Sequence, residues 1–175
     1  MRVLLVNGSP REAGCTYTAL MEVAGALERS GVEWEMFQAG AQPIRGCTGC
    51  GRCRQTEGKC VFSDRVNDLI DRAREADGFV FGTPVHYAAA SGAITSLLDR
   101  AFYANSAAFC GKPAGVIASC RRAGSTGGAG TIDEVPHHFA DAGGVFAILD
   151  HGAWQFARGS AQGSRGHADH ARAGV

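Results

Sequence analysis

Four cysteines, Cys47, Cys50, Cys53 and Cys60, fall within fourteen residues in the pattern C-x2-C-x2-C-x6-C. Gly46, Gly49, Gly51 and Gly58 leave that loop a backbone free enough to wrap a centre. A 4Fe–4S cubane needs one thiolate for each iron, and close C-x2-C spacing can deliver them from a single loop. Tetrahedral zinc would take the same four ligands, although zinc sites more often pair two separated C-x2-C knuckles. A third reading is a set of unliganded thiols. The cluster ranks first, free thiols second and zinc third. Seven cysteines are many for a reducing compartment, where disulfides do not persist, so metal or redox chemistry is the first functional expectation. Cys110 and Cys120 read as buried, since an unliganded Cys behaves as a small apolar residue.

Three further loops carry groups that could hold a ligand. Asn7-Gly8-Ser9-Pro10-Arg11-Glu12-Ala13-Gly14-Cys15-Thr16 combines the hydroxyls of Ser9 and Thr16, the Arg11 cation and the N–H groups of a helix start. Such a set can seat a phosphate. It is neither a Walker loop, since no Gly-Lys-Ser/Thr follows, nor the dinucleotide fingerprint, since Pro10 stands where a glycine is needed. The plain alternative is an ordinary strand-to-helix turn. In the second loop, residues 83–92, Pro84 fixes the backbone and His86 and Tyr87 could stack on or hydrogen-bond to a flat ring; a packed side chain is the commoner fate of a lone His. The third, residues 119–130, is glycine-rich and cationic and suits a cofactor flank, a mobile lid or a solvated turn. Asp99-Arg100 reads as a structural ion pair and His137-His138 as a surface pair.

The elements that must position these loops follow from periodicity. Arg2–Val6, Val32–Phe37, Gly78–Gly82, Ala114–Ser119 and Val145–Leu149 read as strands. Between them lie helices over about 16–29, one that starts after Ser63-Asp64, and two over about 92–104 and 133–142. Leu20, Val23, Ala24 and Leu27 form the inner face of the first, and Val66, Leu69, Ile70 and Ala73 that of the second, capped by Ser63-Asp64. Five apolar strands alternating with helices predict a doubly wound α/β fold with a five-stranded parallel sheet and helices on both faces. Ligands of such folds bind beyond the carboxyl ends of the strands, where the loops above emerge.

Composition narrows the class. Lys+Arg and Asp+Glu balance at 17 each, which removes the electrostatic footprint of a general nucleic-acid binder. The absence of a long apolar run predicts no membrane span, and the N-terminal apolar stretch is too short for a signal peptide, so a cytoplasmic protein is expected.

As an ordered set, NGSPREAGCTYTAL, IRGCTGCGRC with Cys60 beyond it, ADGFVFGTPVHYAAASGAITSLLDRAFY and GKPAGVIASCRRAGST resemble the NAD(P)H-dependent FMN reductase and iron-sulfur flavoprotein families. The resemblance implies a flavodoxin-like fold over residues 1–157, with the cysteine-rich loop 46–60 following strand two, and FMN held without covalent attachment. By position, Ser9, Arg11, Cys15 and Thr16 would surround its phosphate; Cys15 stands where relatives often carry Asn, so its contact would be through the backbone. Pro84, Val85, His86 and Tyr87 would line the isoalloxazine, His86 replacing a frequent Tyr, and Ser119, Arg121 and Gly124 would form the other flank. Cys47, Cys50, Cys53 and Cys60 would ligate a 4Fe–4S cluster. NAD(P)H would be the co-substrate, hydride passing to the flavin and onward to a small-molecule or protein acceptor. Arg121 is the one candidate for a catalytic charge, and a homodimer or homotetramer is expected. The rivals are an electron carrier without NAD(P)H turnover, against which the zero net charge speaks, an FMN-dependent biosynthetic dehydrogenase and a zinc-stapled interaction domain.

Residues 158–175 carry no helical apolar stripe and read as a disordered tail. A sharper reading is a change of reading frame near residue 160 that replaced a final amphipathic helix, since Trp154 to Gly159 still resembles the relatives and the following residues do not.

Overall fold

The computed structural model describes residues 1–137, 145–150 and 153–158, with side chains through residue 132. Its elements are β1 (Arg2–Asn7), α1 (Cys15–Arg29), β2 (Glu33–Gln38), α2 (Arg65–Glu75), β3 (Gly78–His86), β4 (Ala89–Ala90), α3 (Gly92–Asn105), β5 (Ala114–Cys120), α4 (Ser125–His137), β6 (Val145–Asp150) and β7 (Ala153–Arg158), with short 3-10 turns at Arg52–Gln55 and Ser106–Ala108. The sheet order is β2-β1-β3-β5-β6-β7, with β4 paired to β3 alone. From β2 to β6 every pairing is parallel, which is the doubly wound order expected of a flavodoxin-like sheet.

Strand periodicity divides the core in two. On one face Val3, Leu5 and Ile117 meet Ala19, Leu20 and Ala24 of α1. On the other, Leu4, Val6, Phe79, Phe81, Val116 and Ala118 meet the inner residues of α2 and α3. Each fully buried Leu, Ile or Phe contributes about 1.5–3 kcal/mol. Of the expected α1 stripe, Leu20 and Ala24 are buried, while Val23 and Leu27 pack at its margin. All four expected residues of α2 are buried, and the Asp64 carboxylate caps this helix by accepting from the Val66 N–H. Among the described residues no helix is long and apolar enough to cross a membrane.

Three elements differ from the sequence-based expectation. β3 continues through His86, because Thr83 and Pro84 still pair with Ala118 and Ser119 of β5. α4 starts at Ser125, inside the stretch expected to be a loop, for a packing reason given below. A further strand, β7, lies antiparallel on β6. The register that pairs Asp150 with Ala153 leaves two residues for the connection, enough for an antiparallel return but not for a parallel crossover. The expected helical residues 138–142, His138 and the tail beyond Arg158 lie outside the described residues.

α1 approaches the sheet most closely at Gly82. A Cβ there would stand 2.8 Å from Leu20 Cδ1 and 2.9 Å from Thr16 Cγ2. Gly82→Ala is therefore expected to push α1 outward and lower stability by about 1–3 kcal/mol. Urea denaturation checks this; an unchanged midpoint would contradict the packing described.

Candidate functional site

β1, β3 and β5 release their loops at one edge of the sheet, and hydrogen bonds between the loops shape a cleft there. The Gly8 N–H donates to the Gly82 carbonyl at 2.8 Å, and the Ser91 hydroxyl donates to the Gly8 carbonyl at 2.9 Å. Gln38 Nε2 donates to the Ser9 carbonyl at 2.7 Å, and the Arg11 N–H donates to Ser9 Oγ at 3.1 Å, which tightens the turn ahead of α1. The Thr16 and Ser119 hydroxyls, both buried, hydrogen-bond each other at 2.7 Å and tie the start of α1 to the end of β5. Gly14 caps α1 without a side-chain bond, and no acidic residue lies in the first turn. The N–H groups of that turn and the positive end of the helix dipole therefore face the cleft without a competing carboxylate. This is a ready site for an anion.

The cleft has a volume of about 680 Å³, within the range of small-molecule and cofactor sites. Ser9, Arg11, Cys15, Thr16, Pro84, Val85, His86, Ser119 and Arg121 all line it, together with Pro10, Gly14 and Cys120. Tyr87 and Gly124 are not among its lining residues. Cys120 was expected in the core. It is only partly buried, because it is the last residue of β5, at the edge where the cleft opens. Cys110, expected in the same way, is exposed in the turn after the Ser106–Ala108 helix.

Tyr87 and Ala88 make the turn of a hairpin. His86 pairs with Ala89, and the two residues between them have φ of 49° and 66°. Positive φ at both central positions is the type I′ geometry, which usually takes Asn-Gly; a Tyr there is strained. The Tyr87 side chain is fully exposed, at 106%. α4 supplies the constraint that holds the turn. A Cβ on Gly124, itself at φ +88°, would lie 2.5 Å from Ala88 Cα, and one on Gly127 would lie 2.8 Å from the Ala88 carbonyl. The glycine-rich stretch, expected as a cofactor flank, a mobile lid or a solvated turn, borders the cleft at Arg121 and seats the hairpin at Gly124 and Gly127. Poor helix formers begin α4 because only they admit the contact, with Ala129 and Ile132 buried behind it.

The four clustered cysteines line a second cavity with Phe62, Arg100 and Tyr103. It encloses about 320 Å³ counting the part open to solvent, and the centre of a water molecule can occupy only about 20 Å³ of it, room for about one water. Its two halves differ. Cys53 is buried and its Sγ donates to the Tyr103 carbonyl at 3.9 Å. Cys60 is clamped by Asn67 of α2, whose Oδ1 accepts from the Cys60 N–H at 2.8 Å and whose Nδ2 donates to the Cys60 carbonyl at 2.9 Å. Cys47 and Cys50 are exposed. The Arg52 N–H, aided by the Thr48 side chain against a smaller effect of burial, holds the Cys50 thiol below its ordinary value. Among the described residues no three His, Cys, Asp or Glu side chains converge closely enough for one metal ion. The zinc arrangement is therefore not preformed. Four thiols lining one cavity are the donor set a cubane takes, one thiolate for each iron.

Arg100 borders this cavity. Its ion pair is made with Asp64, at 2.5 and 3.0 Å, and not with the adjacent Asp99, because neighbours in a helix point to different faces. Nothing in the spacing of the sequence marks Arg100 as a neighbour of Cys60. Cys120 could have been found from its place at a strand's carboxyl end.

The family model described as NADPH-dependent FMN reductase matches residues 1–157. The chain belongs to that family. Among curated relatives, an iron-sulfur flavoprotein of Methanocaldococcus jannaschii is 34% identical over 100 residues, covering 57% of this chain and 51% of that protein. An FMN-dependent NADPH-azoreductase of Staphylococcus saprophyticus is 27% identical over 137 residues, 78% of this chain and 66% of that protein. The chain spans about half the length of the iron-sulfur flavoproteins it matches. Among solved structures, RosB with bound 8-demethyl-8-formylriboflavin-5'-phosphate aligns over 89% of this chain and 68% of its own, with a TM-score of 0.68 at 17% identity, and so shares the fold. In this member of the FMN reductase family the strained hairpin gives a direct test. Ala88→Gly removes a left-handed Cβ and is expected to raise stability by about 1 kcal/mol. Thermal unfolding measures it, and a lowered midpoint would show that the turn is not strained.

Proposed function

We propose that this chain is an FMN-dependent NAD(P)H oxidoreductase that passes electrons from a nicotinamide, through flavin, to a small-molecule or protein acceptor. The observation that carries the reading is the cleft at the carboxyl ends of β1, β3 and β5, where the uncapped start of α1 stands beside Arg11. The first-turn N–H groups, Ser9 and the Arg11 guanidinium would hold the terminal phosphate, each bond being charge-assisted. Thr16 and Ser119, bonded to each other, would keep the two walls at a constant separation. Pro84, Val85 and His86 would lie along the isoalloxazine, with Tyr87 at the rim and Arg121 on the far wall as a fixed positive charge. Gly124 would act by seating the hairpin. Bound FMN would supply hydride acceptance and onward electron delivery; the protein supplies placement and electrostatics.

Four thiols lining one cavity support a 4Fe–4S cluster on Cys47, Cys50, Cys53 and Cys60, as an outlet for single electrons. Solvent-facing thiols at Cys47 and Cys50 are consistent with a reducing cytoplasm. The assembly that goes with this reading is a homodimer or homotetramer.

Two outcomes are expected. Protein produced with ample riboflavin carries a yellow pigment whose absorbance near ~450 nm bleaches on anaerobic addition of NADPH. Pigment that neither nicotinamide bleaches would point to a carrier without turnover, and colourless protein with no micromolar affinity for FMN would end the reading. Arg11→Ala is expected to weaken FMN binding about tenfold or more, measured by flavin fluorescence quenching, through loss of a charge-assisted phosphate contact. Unchanged affinity would remove Arg11 from the site.

A further inference from the structure

Arg100 is among the most enclosed side chains of the protein, with 2% of its surface exposed, yet it lies on the wall of the cysteine cavity. Its planar fork is almost fully used. Nη1 donates to an Asp64 oxygen at 2.5 Å and to the Arg45 carbonyl at 3.3 Å, while Nη2 donates to the other Asp64 oxygen at 3.0 Å and to Cys60 Sγ at 3.1 Å. Nε is buried with no acceptor among the described residues. A guanidinium keeps its charge throughout the ordinary pH range, so a cation is fixed at this wall. The guanidinium plane also stands over the Phe62 ring, 5.2 Å from its centroid.

Stability alone does not call for this arrangement. A buried ion pair costs about as much in lost hydration as it returns, and an apolar residue of similar volume often serves as well. What the arrangement does achieve is placement. Asp64 is anchored at the start of α2 and holds Arg100, which is anchored on α3, and Arg100 in turn holds the thiol of Cys60. The guanidinium lies between Asp64 and Cys60, so the charge nearest the sulfur is positive.

We propose that Arg100 is a positioning residue for an iron–sulfur cluster in this cavity, fixing Cys60 as a ligand and favouring the reduced cluster through its hydrogen bond and positive charge. This rests on the cluster reading given above. Hydrogen bonds to the sulfurs and nearby charge are among the factors that set a cluster's potential, and outer-shell partners govern how firmly a metal centre is held. A cluster gains one negative charge on reduction, so a cation fixed beside one ligand stabilises that form.

The test uses the full chain, purified anaerobically, reconstituted with ferrous iron and sulfide and titrated with dithionite. Wild type is compared with Arg100→Lys, which keeps the charge but not the fork, and with Arg100→Met, which keeps neither. The readouts are iron per chain, the cluster's midpoint potential, its electron paramagnetic resonance signal after reduction, and the rate of iron loss to a chelator. The expected result is a lower midpoint and about tenfold faster iron loss in Arg100→Met. Arg100→Lys should keep a midpoint nearer wild type while also losing iron faster. If Arg100→Met does not fold, Arg100→Gln makes the same comparison, since it removes the charge and keeps an amide donor. A folded, fully loaded Met or Gln variant with wild-type midpoint and resonance signal would overturn the proposal for Arg100. Wild-type protein that takes up no iron would instead overturn the cluster reading beneath it, with the flavin site untouched.

Discussion

Parallel pairing of β1, β3 and β5 obliges all three strands to leave the sheet at the same edge. The loops that follow them must then share one small volume, and their polar backbone groups must satisfy one another there. Gly8 bonds to Gly82, Ser91 to Gly8, and Thr16 to Ser119, so segments distant in sequence are drawn together at a single rim. The rest of the cleft depends on that constraint. α1 starts at the rim, and its uncapped first turn points where the loops leave space. The missing side chain of Gly82 is what lets the helix come close enough.

The cysteine cavity belongs to the same frame but to a different layer. It is built where the loop after β2 meets α2 and α3, and the bonds that define it come from Asn67 and Arg100 on those helices. One half of the thiol set is therefore held by regular structure and the other half lies on exposed loop. The cleft, by contrast, already has the volume of a cofactor site.

Strain and glycine meet at the third wall. Ala88 keeps a left-handed backbone because Gly124, just before α4, and Gly127 in its first turn press upon it, and glycines stand there because the hairpin leaves no room for side chains. Each oddity explains the other. Backbone strain of this kind, about 1–3 kcal/mol per residue, persists only where surrounding structure over-determines it, and it tends to gather at functional sites.

Much of this was legible in the chain itself. Apolar runs of strand length separated by amphipathic stretches specify a parallel, doubly wound sheet, because the 2.0 and 3.6 periods leave few other ways to bury those faces. The hydroxyls and the cation before α1 and the four spaced thiols announced two sites, since short motifs carry their own local geometry. Other features were not legible. The start of α4 was hidden because packing overrode glycine's low helix propensity, and β7 because its six residues become a strand only through their antiparallel pairing with the neighbouring β6. Arg100 was hidden most thoroughly: forty residues separate it from Cys60, and their meeting depends on how α2 and α3 cross. The sequence by itself determined which chemistry was available and which layers would bury it. Only tertiary structure decided which groups touch, because contacts between segments distant in the chain are set by packing and leave no period or spacing to read.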